Sequence, residues 1–293
     1  MGTRSGSSLQ DDGETDNSTL AYIANGPALK TIESPSPDFT WAWDINDSSV
    51  VVGTYGLNNK GHAFKWSEEA GLMNLGSYDA MSADAIDINN HGDVLINAIG
   101  GGPVLEYEGY RYHATQTILH TNEGELRPII PEYHIFHPSA VNEARQIAGM
   151  YTSIPNKQGN AYLWDQEQGL KDLGLAGSYS AAMDLNDTGE VVGFTQLSDD
   201  PLDLAAFVYD DLNGSQLLKE LISSGSEWFR IEMASEINNG GQILGIAWKN
   251  QYFSSRAIVL LTPVPEPGTI AIGLIAVMLG ATTARLRCAS PCG

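Results

Sequence analysis

The chain has 293 residues, 31 Gly, 12 Tyr and 6 Trp, only 17% charged residues and a formal net charge of -21. This composition suits many short strands joined by tight turns, in one large all-β domain or two ordinary ones. The charge excludes nucleic acid as a partner, because phosphate binding needs a basic surface, and it excludes adsorption of the main body onto anionic lipid.

The first 19 residues, MGTRSGSSLQDDGETDNST, are polar and acidic and lack the apolar h-region of a signal peptide. They are predicted to be a disordered leader, residues 1–19. Both cysteines, Cys288 and Cys292, lie at the far end, so the body has no disulfide framework.

An element recurs five times along residues 20–262: AWDINDSSVVVG, AIDINNHGDVLIN, SAVNEARQIAG, AMDLNDTGEVVG and SEINNGGQILG. Its asparagines are Asn46, Asn89, Asn142, Asn186 and Asn238, spaced 43, 53, 44 and 52 residues apart. Apolar residues alternate before the Asn and alternate or run together after it, which predicts strand, turn, strand. The Asn side chain caps the turn backbone. Gly92, Gly189 and Gly241 supply the positive φ of a type I turn with a G1 bulge. Ser49 and Arg145 stand there in the other two copies, predicting strain of about 1 kcal/mol.

A second element follows each turn: HAFKW, HATQT, NAYLW, AAFVY and RAIVL. A third is a Leu/Ile pair three apart: Leu72 and Leu75, Leu126 and Ile129, Leu170 and Leu173, Leu218 and Leu221. Its fifth copy, Leu29 and Ile32, sits at the start of the repeats. Five partial units become complete only if this N-terminal strand joins the last unit. The expectation is an all-β, five-bladed β-propeller of four-stranded repeats with shared-blade closure. The strand ending in each Asn is expected to be innermost, because small residues cluster there.

These elements resemble the bacterial extracellular HAF repeat family, with His62-Ala63-Phe64 as its tripeptide. The second unit departs from the pattern, with HATQT lacking aromatics and Asn97 taken as the replacement of the closing glycine. The resemblance implies export and a propeller fold, and no activity.

Residues 263–293 form a distinct tail. Val264, Pro265, Glu266, Pro267, Gly268 and Thr269 precede an apolar run over about 270–284, then Arg285 and Arg287. This order resembles the PEP-CTERM sorting signal of Gram-negative bacteria. That resemblance implies an exosortase-type membrane protease as partner, and an association with exopolysaccharide and biofilm. The run is expected to be a single transmembrane helix of roughly 22 Å, with the arginines cytoplasmic. An exported domain also predicts an entry signal upstream of Met1.

No Walker loop, nucleophile elbow, HExxH or CxxC is present, and the protein is expected not to be an enzyme and to hold no cofactor. Asp184, Asn186 and Gly189 partly match a calcium loop, but Thr195 stands where its bidentate Glu belongs. Asp87 with Asn89 fails likewise at Ala98. His134 and His137, with His113 and His120, lack a carboxylate or Cys that would complete a zinc set, so no metal is assigned. Trp66 and Trp164 recur at one blade position and are expected in the core. Trp41, Trp228 and Trp248 have no repeat equivalents and are the ligand candidates. The expected function is a cell-surface or extracellular binding or scaffold module for exopolysaccharide or another envelope component. A propeller glycan hydrolase or lyase and a calcium-stabilised adhesin are the alternatives.

Overall fold

Five tight turns set the architecture. In each, the Asn backbone N–H donates to the carbonyl four residues on, and the N–H three residues on returns to the Asn carbonyl, as in Asn186 to Glu190 (3.0 Å) and Gly189 to Asn186 (3.1 Å). That closure forces the third residue after Asn into the left-handed region. Gly92, Gly189 and Gly241 have φ of 84°, 80° and 70°, and Ser49 and Arg145 adopt the same conformation at 60° and 63°. Two side-chain-bearing residues therefore take a backbone conformation that costs roughly 1–2 kcal/mol.

The computed structural model describes residues 3–9, 19–25, 28–35, 38–100, 104–107, 110–113, 115–129, 134–153, 158–175, 177, 179–222, 228, 230–249, 256–264 and 273–278. A three-stranded sheet comes first: β1 (Thr3–Leu9), β2 (Thr19–Asn25) and β3 (Ala28–Thr31), paired in that order. Blade 1 is β4 (Thr40–Ile45), β5 (Val51–Leu57), β6 (Lys60–Ser67) and β7 (Gly71–Gly76). Blade 2 starts with β8 (Ser82–Ile88) and β9 (Val94–Ile99), followed by an inserted hairpin of β10 (Val104–Tyr107) and β11 (Tyr110–His113). It ends with β12 (Gln116–His120) and β13 (Leu126–Ile129). Blade 3 is β14 (His134–Val141), β15 (Ile147–Ser153), β16 (Gly159–Asp165) and β17 (Gly169–Asp172). Blade 4 is β18 (Tyr179–Leu185), β19 (Val191–Gln196), β20 (Leu204–Asp210) and β21 (Gly214–Leu217), followed by one helical turn, α1 (Leu218–Leu221). Blade 5 is β22 (Arg230–Ile237), β23 (Ile243–Trp248), β24 (Arg256–Val264) and β25 (Gly273–Met278). Within each blade successive strands pair antiparallel, and one parallel bridge between Gly61 and Ser82 joins blades 1 and 2.

The first strand of every blade carries a β-bulge three residues before its Asn, at Trp43, Ile86, Ser139, Met183 and Ser235. The bulge pushes a carbonyl toward the neighbouring strand. A Cβ at Gly53, Gly149, Gly193 or Gly245 would collide with the carbonyl of Trp41, His137, Ala181 or Met233. That is why glycine closes four of the five elements. In blade 2 the register sets Ile96, and not Asn97, at this position, opposite Ala85. Asn97 lies one step further along and is not the replacement of that glycine.

The structure changes three expectations. The last blade is completed by β25 from the tail, and β3 stays with β2, so among the described residues no strand is shared between the two ends of the repeat array. Residues 273–278 of the expected membrane helix are this strand, held by backbone pairing to β24, and among the described residues no helix is long and apolar enough to cross a membrane. Residues 3–9 of the expected irregular leader pair with β2.

Core clusters lie within and between blades. Leu95, Leu119, Ile129, Phe136, Val141, Ile147, Tyr151 and Tyr162 join blades 2 and 3, and Ala21 and Ile32 of the N-terminal sheet pack with Val51, Tyr55, Phe64 and Trp66 of blade 1.

Arg145 shows why a strained residue sits where glycine would fit. Its Nε and Nη2 donate to the fully buried Asp93 carboxylate at 2.7 and 3.1 Å, across the blade 2–blade 3 boundary. Burial alone would raise the Asp93 pKa, but Arg145, the Asn122 N–H and the Asn89 amide together hold it below the usual carboxylate range. Arg145→Gly relieves the turn and strands a buried charge. Removing one partner of such a pair typically costs about 3–5 kcal/mol. The guanidinium is 31% exposed, so the expected net loss is about 2 kcal/mol after screening and strain relief. Urea unfolding checks this; adding Asp93→Asn to Arg145→Gly should recover most of the loss.

Candidate functional site

The five turns converge on one axial mouth of about 290 Å³, lined by the Asn and its two neighbours from every blade. Each Asn Oδ1 accepts the N–H four residues on, as with Glu190 N–H to Asn186 at 3.0 Å. The Nδ2 donors then link blade to blade: Asn46 to Asn89 O (3.1 Å), Asn89 to Asn142 O (3.2 Å), Asn142 to Asn186 O (3.0 Å) and Asn186 to Asn238 O (3.2 Å). The second amide hydrogen meets the side chain four residues on in four copies: Asp93, Gln146, Glu190 and Gln242. A second ring lies outside the first. The N–H groups of Asp47, Asn90, Glu143 and Asp187 donate to the side chains of Asn90, Glu143, Asp187 and Asn239 in the next blade.

Two residues before each Asn stand Asp44, Asp87, Ala140, Asp184 and Glu236. Asp44, Asp87 and Asp184 each accept a backbone N–H from the following blade: Ile88 (3.0 Å), Val141 (2.6 Å) and Ile237 (2.7 Å). The carboxylates also feel one another. Burial first, then the hydrogen bond that its protonated carboxyl donates to Asp44 and the charge of Asp44, push Asp87 well above the usual carboxylate range. Burial and the Asp44 charge raise Asp184; burial and the charges of Asp184 and Asp44 raise Glu236. These four groups are the acid–base chemistry of the channel. The signal for them in the sequence is the acidic residue that recurs two places before Asn.

A different surface opens at the start of β4, roughly 15 Å up the strand from its turn. Trp41 is 39% and Trp43 51% exposed. Alternation along the strand puts both indoles on one side: Phe39 stacks on Trp41 at 4.6 Å, and Trp43 meets Trp41 edge-on at 6.0 Å. Trp43 Nε1–H donates to Thr54 Oγ1 (3.0 Å), which donates to Asp84 Oδ1 (2.8 Å), and Ser82 Oγ reaches the same oxygen at 3.0 Å. An aromatic platform beside an anchored carboxylate offers stacking and hydrogen bonding to one ligand.

The other sequence-derived candidates fall elsewhere. Trp228 is 2% exposed, in the core with Leu218 and Ile231, so its ring presents no stacking face. Trp248 is half-buried, donates to Glu232 (2.6 Å) and lies under the Arg256 guanidinium. Trp43 and Asp84 were not among the ligand candidates: the i, i+2 spacing of Trp41 and Trp43 is the signal that places Trp43 beside Trp41, whereas Asp84 reaches the site from blade 2 through Thr54, a contact between blades that has no local pattern. Asn46, Asn89, Asn142, Asn186 and Asn238 are brought together at the mouth. Val264 ends β24, while Pro265, Glu266, Pro267, Gly268, Thr269, Arg285 and Arg287 lie outside the described residues. Among the described residues no group of three or more His, Cys, Asp or Glu is arranged to hold a metal ion.

Compared with protein-family profiles and with curated proteins, the chain has no match. Among solved structures it is similar to TolB from Acinetobacter baumannii, with a TM-score of 0.50 and 13% identity, over 85% of this chain and 61% of that one. The chain thus spans about three-fifths of the length of that protein. The likeness is one of fold: an all-β, propeller-like array of antiparallel four-stranded sheets.

The raised carboxylates predict an uncommon pH dependence. A carboxyl whose folded pKa exceeds its unfolded value of about 4 binds protons preferentially in the folded state, so stability rises as pH falls through that interval. Melting temperature should increase from pH 7 toward about pH 5, then fall below about pH 4 as Asp93, held low by Arg145, is protonated. Asp87→Asn keeps an acceptor for Val141 N–H and removes the charge. It should raise the melting temperature at pH 7 and flatten the rise on acidification; a variant less stable than wild type at pH 7 contradicts this account.

Proposed function

We propose that this protein is an exported, non-enzymatic binding or scaffold module of the cell envelope or extracellular matrix, with a polysaccharide as its partner. The observation that carries the reading is the row of Phe39, Trp41 and Trp43, its two indoles exposed, beside Asp84. Stacked aromatic faces engage the C–H face of a sugar ring while the polar groups at their edge engage its hydroxyls. The net charge of -21 disfavours a polyanionic glycan and favours a neutral or amine-bearing one. Export and handling by an exosortase rest on the resemblance of the tail to PEP-CTERM signals and of the repeats to HAF repeats. That handling requires β25 to leave β24, because one segment cannot be an edge strand and a membrane helix together.

A second reading, glycan hydrolysis, is favoured by one observation. Asp87 lies beside Asp44 with a raised pKa, the pairing that acid–base hydrolysis uses. Against it, Asp44 and Asp87 already hold backbone N–H groups of the next blade.

Co-sedimentation with exopolysaccharide from the source cell, with assay of released sugar, separates the two. Wild type should pellet with the polymer and release none, and Trp41→Ala/Trp43→Ala should weaken binding by about tenfold or more at unchanged melting temperature, since each lost stacking contact is worth about 0.5–1.5 kcal/mol. Sugar release abolished by Asp87→Asn would establish the hydrolase reading instead.

A further inference from the structure

The blade rims repeat a clamp. Lys30 of β3 reaches across to blade 1, pairs with Glu68 at 2.7 Å and covers the Trp66 ring at 5.6 Å. Lys171 of β17 does the same to blade 4, pairing with Asp211 at 2.8 Å and covering Tyr209 at 4.9 Å. Strand register places Lys30, Arg127 and Lys171 at one position, and the corresponding rings are Trp66, Trp164 and Tyr209.

Between blades 2 and 3 the clamp is open. Gln166 stands where the other copies have Glu68 and Asp211. Arg127 turns back onto Glu125 of its own blade, at 2.7 and 3.1 Å, and gives only one bond, 2.8 Å, to Gln166 Oε1. Among the described residues no lysine or arginine is set over the Trp164 ring as Lys30 and Lys171 are over Trp66 and Tyr209. Beside it lies a pocket of about 680 Å³ whose lining includes Trp164, Arg127, Arg145, Gln168 and two acidic residues, Asp165 and Glu167. That volume falls in the range of small-molecule sites, roughly 300–1,000 Å³.

The lining chooses the chemistry. Arg145 spends Nε and Nη2 on Asp93 and Glu123, so its Nη1 hydrogens remain as donors while its charge is compensated. The Trp164 indole N–H and the Gln168 side-chain amide make no hydrogen bond among the described residues. An open indole face, unspent donors, two arginines each paired with an acid and the added acids Asp165 and Glu167 disfavour an anion and suit a hydroxyl-rich ring with an apolar C–H face and no negative charge. We propose that this rim pocket binds one or two neutral pyranose units, as a site separate from the Trp41–Trp43 platform. The inference rests on the glycan-binding reading above and assigns it a second place on the molecule.

The test closes the clamp. Arg127→Lys/Gln166→Glu recreates the ammonium–carboxylate pair of the other two copies and should draw a lysine over Trp164. Calorimetric titration uses neutral gluco-, manno- and galacto-hexasaccharides and a hexamer of galacturonate. At least one neutral hexasaccharide should bind wild type and bind the double variant at least tenfold more weakly, with no fall in melting temperature. Gln168→Ala, an exposed change, should weaken the same sugar. Unchanged affinity in both variants, with loss in Trp41→Ala/Trp43→Ala, overturns the rim site and leaves the glycan reading standing. Binding of galacturonate alone overturns the neutral-sugar assignment, and binding of no glycan to wild type overturns both readings.

Discussion

The asparagine amide at each turn is the interaction on which the blades' arrangement depends. Its oxygen accepts within its own turn, and in the first four copies, where the asparagine is buried, its nitrogen donates to the carbonyl of the next asparagine. Aspartate offers no donor, and glutamine is one carbon too long to cap its own turn, so a single residue type satisfies both demands. Because the groups are buried, a missing bond would leave a desolvated polar atom at a cost of about 1–3 kcal/mol. The same bond that finishes a local turn therefore sets one blade against the next.

That coupling accounts for the acid at the axis. Inner strands crowd there, and their N–H groups near the turn lack a strand partner. Asp44, Asp87 and Asp184 supply acceptors across the blade boundary. Satisfying those donors buries carboxylates and gathers like charges in a narrow space, and Asp87 and Asp184 respond by holding protons more tightly. Ala140 stands at this position in blade 3, where Leu185 N–H turns instead to Asp184 of its own blade at 2.8 Å. One omission from the acidic set thus relieves repulsion without leaving that donor unpaired.

Much of this was legible in the sequence because the repeat reports on backbone geometry. The turn position that needs positive φ was readable from three glycines, and Ser49 and Arg145 follow it although they are not glycine. Closure was not readable. A Leu/Ile pair marks an outer strand without saying which sheet it joins, and Ile32 buries against blade 1. The apolar run at 270–284 was ambiguous in the same way, since periodicity alone cannot separate a buried strand from a helix. The closing position lies seven residues after Asn in every copy, which in blade 2 is Ile96 and not Asn97, so this correction was open to the sequence alone. Trp228 shows that absence from a repeat pattern does not make a residue a surface residue.

The N-terminal sheet bears the marks of a blade. Ile32 N–H donates to Ala21 O as Leu173 N–H donates to Ala161 O, at 2.8 and 3.0 Å. Lys30 meets Trp66 and Glu68 of blade 1 as Lys171 meets Tyr209 and Asp211 of blade 4. By this correspondence β2 and β3 are the third and fourth strands of a unit, and β1 takes the place of the second. Among the described residues, this sheet has no equivalent of the inner strand, and the amide chain ends at Asn238, whose Nδ2 turns to its own Gln242. The N-terminal sheet and blade 3 thus share one rim device, a lysine from the outer strand reaching for the next blade's ring, while the N-terminal sheet adds no asparagine to the axis. Rim and axis are separable in this fold: the axis needs asparagine in every copy, whereas the rim tolerates Met73, Arg127 or Gln216 in place of lysine. Variation that would disrupt the axis can accumulate at the rim, which is where a pocket between two blades can open.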